Sequence, residues 1–253
     1  MTNKLKYFVG NWKMFGDFKS FKIIKTINRY YKRIPKKGKN NKLIICVPNL
    51  LINFYKKKLK SNNITLGAQN CSAYENYGPH TGSISAHMLK KAGAKYIILG
   101  HSENRRDGET AQLIKKKIIS SLKENLTVIF CIGETFSEKR KGKTFSVLAR
   151  QIEHSIDKKF NLKKIIIAYE PVWSIGTGRI PKVNDLRKTL SKVKSIFKRK
   201  FKTKKFPIIL YGGSVNDKNI KNFSNIDEID GFLIGGASQS PKKFIDIIKN
   251  YYK

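Results

Sequence analysis

Glu170 is a lone carboxylate between a continuously apolar, β-branched run ending at Ala168-Tyr169 and a segment, Pro171-Val172-Trp173-Ser174-Ile175-Gly176-Thr177-Gly178, whose glycines allow backbone movement. A carboxylate at the C-terminal end of a buried strand can accept a proton. A glycine-bearing loop beside it can fold over a ligand and exclude water. The same residues also fit a strand-capping glutamate followed by an ordinary turn. His101 leaves a second apolar run, Ile97-Ile98-Leu99-Gly100, and reads either as a hydrogen-bond donor to a ligand or as a satisfied core histidine. Lys13, with Asn11 beside it, follows the first apolar run; a cation there can hold an anion, although one lysine among 53 basic residues also reads as plain surface. Gly212-Gly213-Ser214 and Gly235-Gly236 each follow a further run. Backbone without Cβ atoms can approach an anion closely there and offer N–H donors near a helix start, which is the chemistry of a phosphate cradle.

The elements that must position these residues alternate along the whole chain. Strand-like runs cover Leu5 to Gly10, Lys42 to Val47, Ile64 to Ala68, Lys95 to Leu99, Leu126 to Cys131, Lys163 to Tyr169, Phe206 to Tyr211 and Ile229 to Ile234. Helical patterns include Phe18 to Arg33, Thr110 to Lys123, Lys143 to Phe160, Asn184 to Phe201 and Pro241 to Tyr252, with apolar residues at helical intervals and lysines elsewhere. Eight such alternations predict an α/β fold, a single (β/α)8 barrel of eight parallel strands over residues 1–253, with an open doubly wound sheet as the alternative. The lysine-rich stretch 32–42, with Pro35 and Gly38, reads as an exposed connection. In a barrel of this kind, Asn11, Lys13, His101, Glu134, Glu170, Ser214 and Gly235-Gly236 share the face at the strands' C-terminal ends.

The segments Gly10-Asn11-Trp12-Lys13-Met14, Ala68-Gln69-Asn70-Cys71, Leu99-Gly100-His101-Ser102-Glu103, Cys131-Ile132-Gly133-Glu134, Ala168 to Gly178, Tyr211-Gly212-Gly213-Ser214-Val215 and Gly231 to Ser238 occur in an order that resembles the triosephosphate isomerase family. The resemblance implies interconversion of dihydroxyacetone phosphate and D-glyceraldehyde 3-phosphate without metal or organic cofactor. It assigns Glu170 as the base, and His101 and Lys13 as the groups that stabilise an enediolate. It places the substrate phosphate on the backbone of Gly176, Ser214, Gly235 and Gly236, with Asn11 helping to hold the site and Tyr211 holding a closed lid. It further implies a homodimer in which the loop from Cys71 to Ser85 lies beside the partner's active site and Thr81 approaches the partner's Asn11. The chain departs from the family pattern at Asn104, where an arginine is usual, at Ser83, where an acid is usual, and at Arg179-Ile180-Pro181, where the lid ends.

Composition narrows the remaining classes. The 253 residues include 53 Lys plus Arg against 17 Asp plus Glu, a formal charge of +36. That balance permits weak, salt-sensitive association with polyanions, but the lysines are spread over nearly every helical pattern instead of one arm, so no specific nucleic-acid partner is expected. Cys46, Cys71 and Cys131 lie in or beside apolar segments without metal spacing and read as buried free thiols of a reducing compartment. Lys4 and Lys6 interrupt the N-terminal apolar residues and no run reaches membrane-spanning length, so a cytoplasmic protein with no membrane partner is expected. A phosphate-binding barrel acting on a ribose-derived substrate, and a non-enzymatic basic module, are the competing readings.

Overall fold

The computed structural model describes residues 4–33, 40–59, 63–202 and 206–252. Residues 34–39 of the expected lysine-rich connection, Pro35 and Gly38 among them, lie outside the described residues. The strands are β1 (Lys6–Asn11), β2 (Asn41–Cys46), β3 (Ile64–Ala68), β4 (Tyr96–Leu99), β5 (Thr127–Ile132), β6 (Ile165–Tyr169), β7 (Ile208–Tyr211) and β8 (Gly231–Ile234). They pair in sequence order, all parallel, and β8 returns to β1 to close the barrel. The helices are α1 (Phe21–Arg33), α2 (Asn49–Lys58), α3 (Ala86–Ala92), α4 (Ser102–Arg106), α5 (Ala111–Lys123), α6 (Phe136–Arg140), α7 (Thr144–Ser155), α8 (Val183–Phe201) and α9 (Pro241–Tyr251). The open-sheet alternative is excluded by that closure.

The helices form where the sequence supplies both a stripe and a cap. In α1, Ile23, Ile24, Ile27 and Tyr31 are buried on one face while lysines take the other. Thr110 and Ser240 cap α5 and α9 by accepting the N–H groups of Leu113 and Lys243, and Pro241 occupies the first turn of α9, where its missing N–H costs nothing. Three strands, β6, β7 and β8, begin two residues later than the apolar runs predict. Residues Leu162–Lys164 form a 3-10 turn capped by Asn161, and Pro207, which has no N–H for a ladder, precedes β7. The expected long helix before β6 ends at Ser155, beyond which Ile156 is extended.

Strand alternation divides the core into two compartments. Outward residues such as Phe8, Leu43, Ile97, Phe130, Ile167 and Phe232 pack against the helices. Inward residues form the barrel's own interior: Tyr7, Val9, Ile44, Cys46, Tyr96, Ile98, Ile129, Cys131, Ile166, Ala168, Leu210 and Leu233. Two of these are tyrosines, and glycines make room beside them. A Cβ at Gly67 would press on Cys46 Sγ and the Tyr96 backbone, and one at Gly231 would overlap the carbonyl of Tyr7.

Counting two residues further along each strand, the inward register reaches Asn11, Pro48, Gln69, Gly100, Gly133, Glu170, Gly212 and Gly235. This tier carries little side-chain volume. The barrel is therefore filled below and hollow at its C-terminal mouth.

Gly231→Ala should be poorly tolerated, because the carbonyl it meets belongs to the closing β1–β8 pair. Overpacking of about 1–3 kcal/mol or more should lower Tm by about 5 °C or more for a chain of this size. Differential scanning calorimetry checks this, and an unchanged Tm would contradict the packing argument.

Candidate active site

Glu170 follows Ile166 and Ala168 in inward parity, so its side chain enters the hollow tier while its N–H stays in the ladder, donating to the carbonyl of Ile132 at 2.8 Å. Two glycines admit it. A Cβ on Gly212 would lie 2.6 Å from Glu170 Cγ, and one on Gly133 would run into the Glu170 backbone carbonyl. Glu170 as a residue is 5% exposed; Oε1 lies 3.6 Å from His101 Nε2, and Oε2 is buried with no hydrogen-bond partner. Beneath it sits Cys131, whose thiol is held protonated by burial and by the neighbouring Glu170 charge.

His101 would point outward if β4 continued straight, since Ile97 and Leu99 do. Gly100 adopts φ +68°, a left-handed conformation that redirects the chain, and Arg105 holds that turn by donating to the carbonyls of Gly100 (2.7 Å) and Cys131 (3.1 Å). His101 then serves as the cap of the short α4, its Nδ1 accepting the N–H of Glu103 at 3.2 Å. With Nδ1 accepting, the ring proton belongs on Nε2, facing the cavity and Glu170.

Lys13 is one of few non-glycine residues with positive φ (56°). That conformation costs roughly 1–2 kcal/mol and is braced by Asn11, whose Oδ1 accepts the Lys13 N–H at 3.1 Å. The ammonium pairs with Glu103 Oε1 at 2.5 Å. Burial disfavours the Glu103 charge, but the Lys13 hydrogen bond and the nearby His101, Lys13 and Arg106 outweigh it and hold this carboxyl below its ordinary range.

A cavity of about 280 Å³ joins Asn11, Lys13, His101 and Glu170 to Gly176, Ser214, Gly235 and Gly236. All eight site residues expected from the sequence therefore line one space. Among the described residues, the N–H groups of Gly235 and Gly236 meet no intramolecular acceptor. The Ser214 N–H instead donates to Ser174 Oγ at 3.3 Å. The cradle is stitched to β1: Trp12 Nε1 donates to the Ser238 carbonyl (3.2 Å), and Gln239 Nε2 to the Trp12 carbonyl (2.9 Å).

The segment after Glu170 is anchored at both ends. At its start, buried Glu134 accepts hydrogen bonds from Trp173 Nε1 (2.9 Å) and from Tyr169 OH, while its carbonyl accepts the Val172 N–H (3.0 Å). Burial pushes the Glu134 carboxyl up, opposed by the Trp173 and Tyr169 bonds and the charge of Lys139. At its end, Ser174 Oγ donates to the Arg179 carbonyl and lies 3.3 Å from Tyr211 OH. Between these anchors Gly176 and Gly178 have φ of 70° and 75°, with open space where a side chain would be. Arg105, Gly133 and Ser174 are structural participants that sequence reasoning did not single out. Gly133 and Ser174 stand inside the family-like segments and Arg105 is close to His101 in sequence, but none of these signals gave the residue its part.

A second cavity of about 400 Å³ shares Asn11, Lys13 and His101 and extends over Met14, Asn49, Gln69, Asn70, Glu103 and Asn104. Met14 is fully exposed at its edge. Cys46, Cys71 and Cys131 are buried free thiols, as expected. Among the described residues no three His, Cys, Asp or Glu side chains gather in a metal-holding group, and no helix is long and apolar enough to cross a membrane.

Comparison with known proteins adds an independent line. A family model described as triosephosphate isomerase matches residues 6–251. The triosephosphate isomerase of Dictyoglomus thermophilum is 38% identical over 97% of this chain and 99% of its own. That of Zygosaccharomyces bailii is 38% identical over 96% and 98%. The crystal structure of triosephosphate isomerase from Bartonella henselae superposes with a TM-score of 0.88 at 34% identity, covering 98% of this chain and 99% of that one.

The hydrogen bond from the Glu103 N–H predicts one ring tautomer. ¹⁵N NMR of His101 in the neutral ring should show Nδ1 bare and the proton on Nε2. A proton on Nδ1 would contradict the geometry.

Proposed function

The chain belongs to the triosephosphate isomerase family and interconverts dihydroxyacetone phosphate and D-glyceraldehyde 3-phosphate, and we propose that Glu170, His101 and Lys13 carry that reaction. The observation that carries the assignment is the unpartnered Oε2 of Glu170, buried in the same cavity as the N–H-bearing edge of His101. Glu170 takes the proton from the carbon next to the substrate carbonyl and returns it to the neighbouring carbon. His101 donates from Nε2 to the oxygens of the enediolate, and Lys13 adds fixed positive charge. These groups supply both proton transfer and charge stabilisation, so the proposal includes neither metal nor organic cofactor.

The phosphate is held by the N–H groups of Gly235, Gly236 and Ser214, with that of Gly176 added when the segment 171–179 folds over. Closure requires Ser174 to release the Ser214 N–H it now occupies. Asn11 acts by bracing the strained Lys13. Exclusion of water then protects the enediolate from losing its phosphate. An isomerase of this kind serves glycolysis and gluconeogenesis, and we place it in the cytoplasm, as one catalytic barrel spanning 1–253.

The proposal extends to a homodimer. Its support is the second cavity, open beside Lys13 and exposed Met14, together with Tyr74 and Tyr77 standing exposed on the loop that follows Cys71. The recess offers a loop of a second copy polar partners at Asn49, Gln69, Asn70 and Asn104 and an apolar edge at Met14. The sites Ser83 and Asn104 leave no buried unpaired charge behind, which would cost far more than an absent ion pair.

Glu170→Gln keeps the shape and removes proton acceptance. In a coupled assay with glyceraldehyde 3-phosphate, kcat should fall by about 10²- to 10⁴-fold, with a phosphate-bearing inhibitor still bound. Near-native turnover would remove the assignment. Sedimentation at micromolar concentration should give about twice the 29.0 kDa chain mass, and a fully active monomer would end the dimer proposal.

A further inference from the structure

Lys139 has no part in the reaction as derived above, yet its placement is specific. It lies on the outer side of α6, a helix fixed by a capping box in which Thr135 accepts the N–H of Glu138 and Glu138 accepts that of Thr135. From there its ammonium stands over the indole of Trp173, 3.5 Å from the ring centroid. The edge of the same ring donates Nε1–H to Glu134 at 2.9 Å, and Glu134 also takes the hydroxyl of Tyr169. Trp173 is thus gripped on its face by a cation and on its edge by a carboxylate. A ring quadrupole attracts a cation over its face, and the indole is the strongest aromatic partner for one.

Trp173 lies in the first turn of the segment that must fold over the phosphate. We propose that Lys139 is a positioning residue for that segment, holding its first hinge in a narrow set of conformations so that closure over the phosphate orders fewer bonds. This rests on the reading of the site given above. Where the grip is lost, the open segment samples more conformations. Closure must then order them, and the closed population falls. The consequence is confined to substrates whose phosphate draws the segment shut. Lys139 is exposed, and besides the indole its charge acts on the Glu134 carboxyl that holds the same ring; its replacement removes no buried packing, so the barrel stays intact.

The test compares two substrates. In Lys139→Met, kcat/KM for glyceraldehyde 3-phosphate should fall about 3- to 10-fold. Proton exchange of glyceraldehyde, which has no phosphate, followed by NMR in D₂O, should stay within about twofold of the unaltered protein. Lys139→Arg, which keeps a cation over the ring, should restore the triose phosphate rate to within about twofold. Equal losses on both substrates, no loss on either, or no rescue by arginine would overturn the proposal. A readout independent of turnover separates it from the parent reading. In protein carrying 5-fluorotryptophan, Trp12 and Trp173 are the two ¹⁹F resonances, and the Trp173 signal should move and broaden in Lys139→Met and return in Lys139→Arg. An unmoved resonance overturns the role of Lys139 whatever the activity, whereas an unaltered protein inactive on triose phosphate overturns the parent reading.

Discussion

The mouth of this barrel is a layer of side chains left out. Below it the inward register is filled by tyrosine, isoleucine, leucine and cysteine; at the next step it falls on Gly100, Gly133, Gly212 and Gly235, with Asn11, Gln69 and Glu170 between them. A carboxyl group placed there meets mostly bare backbone: Oε1 faces His101 Nε2 at 3.6 Å, and Oε2 is left without a partner. Leaving a buried oxygen without a partner costs roughly 1–3 kcal/mol, and the interior packing of the strands has to supply that stability. Each of the other features follows from the hollow. Gly100 can twist His101 into it, Gly133 and Gly212 can lie against the Glu170 stem, and Gly235 can expose its N–H to an anion.

Charge is handled differently at the mouth and on the surface. Lys13 is matched by Glu103, and Glu134 is matched by hydrogen bonds, so the local arrangement is balanced before any ligand arrives. The excess of the +36 lies elsewhere, spread over helix faces as long, solvated lysine stems. Its effect on the site is therefore long-range. A positive field raises the encounter rate with an anionic sugar phosphate and weakens as salt screens it.

Much of this was legible in the chain because the relevant signals are local. Eight β-branched runs alternating with amphipathic stretches indicated the barrel, and polar or glycine residues just after those runs indicated where its chemistry would gather. Strand starts were less legible. Pro207 and the Asn161 cap act through single backbone hydrogen bonds that an apolar run does not reveal. The roles of Arg105 and Ser174 depend in part on partners 26 and 40 positions away in the chain, Cys131 and Ser214; for Gly133 the partner is Glu170, across the β5–β6 pair. The outward-to-inward turn of His101 was equally hidden, because alternation alone would have sent it to the helix layer.

The closing seam joins the first and the last strand of the barrel. β8 pairs with β1, Lys6 Nζ reaches the carbonyl of Ile229 at 2.6 Å, and the Gly235-Gly236 turn is tied to Trp12 through Ser238 and Gln239. A chain emerging from the ribosome has its base-bearing strand long before it has the last strand, and until then β1 exposes one unpaired edge and the phosphate cradle does not exist. Catalytic competence therefore arrives only once β8 has been made and docked on β1, and a chain that stops before β8 has an open sheet edge but no working mouth.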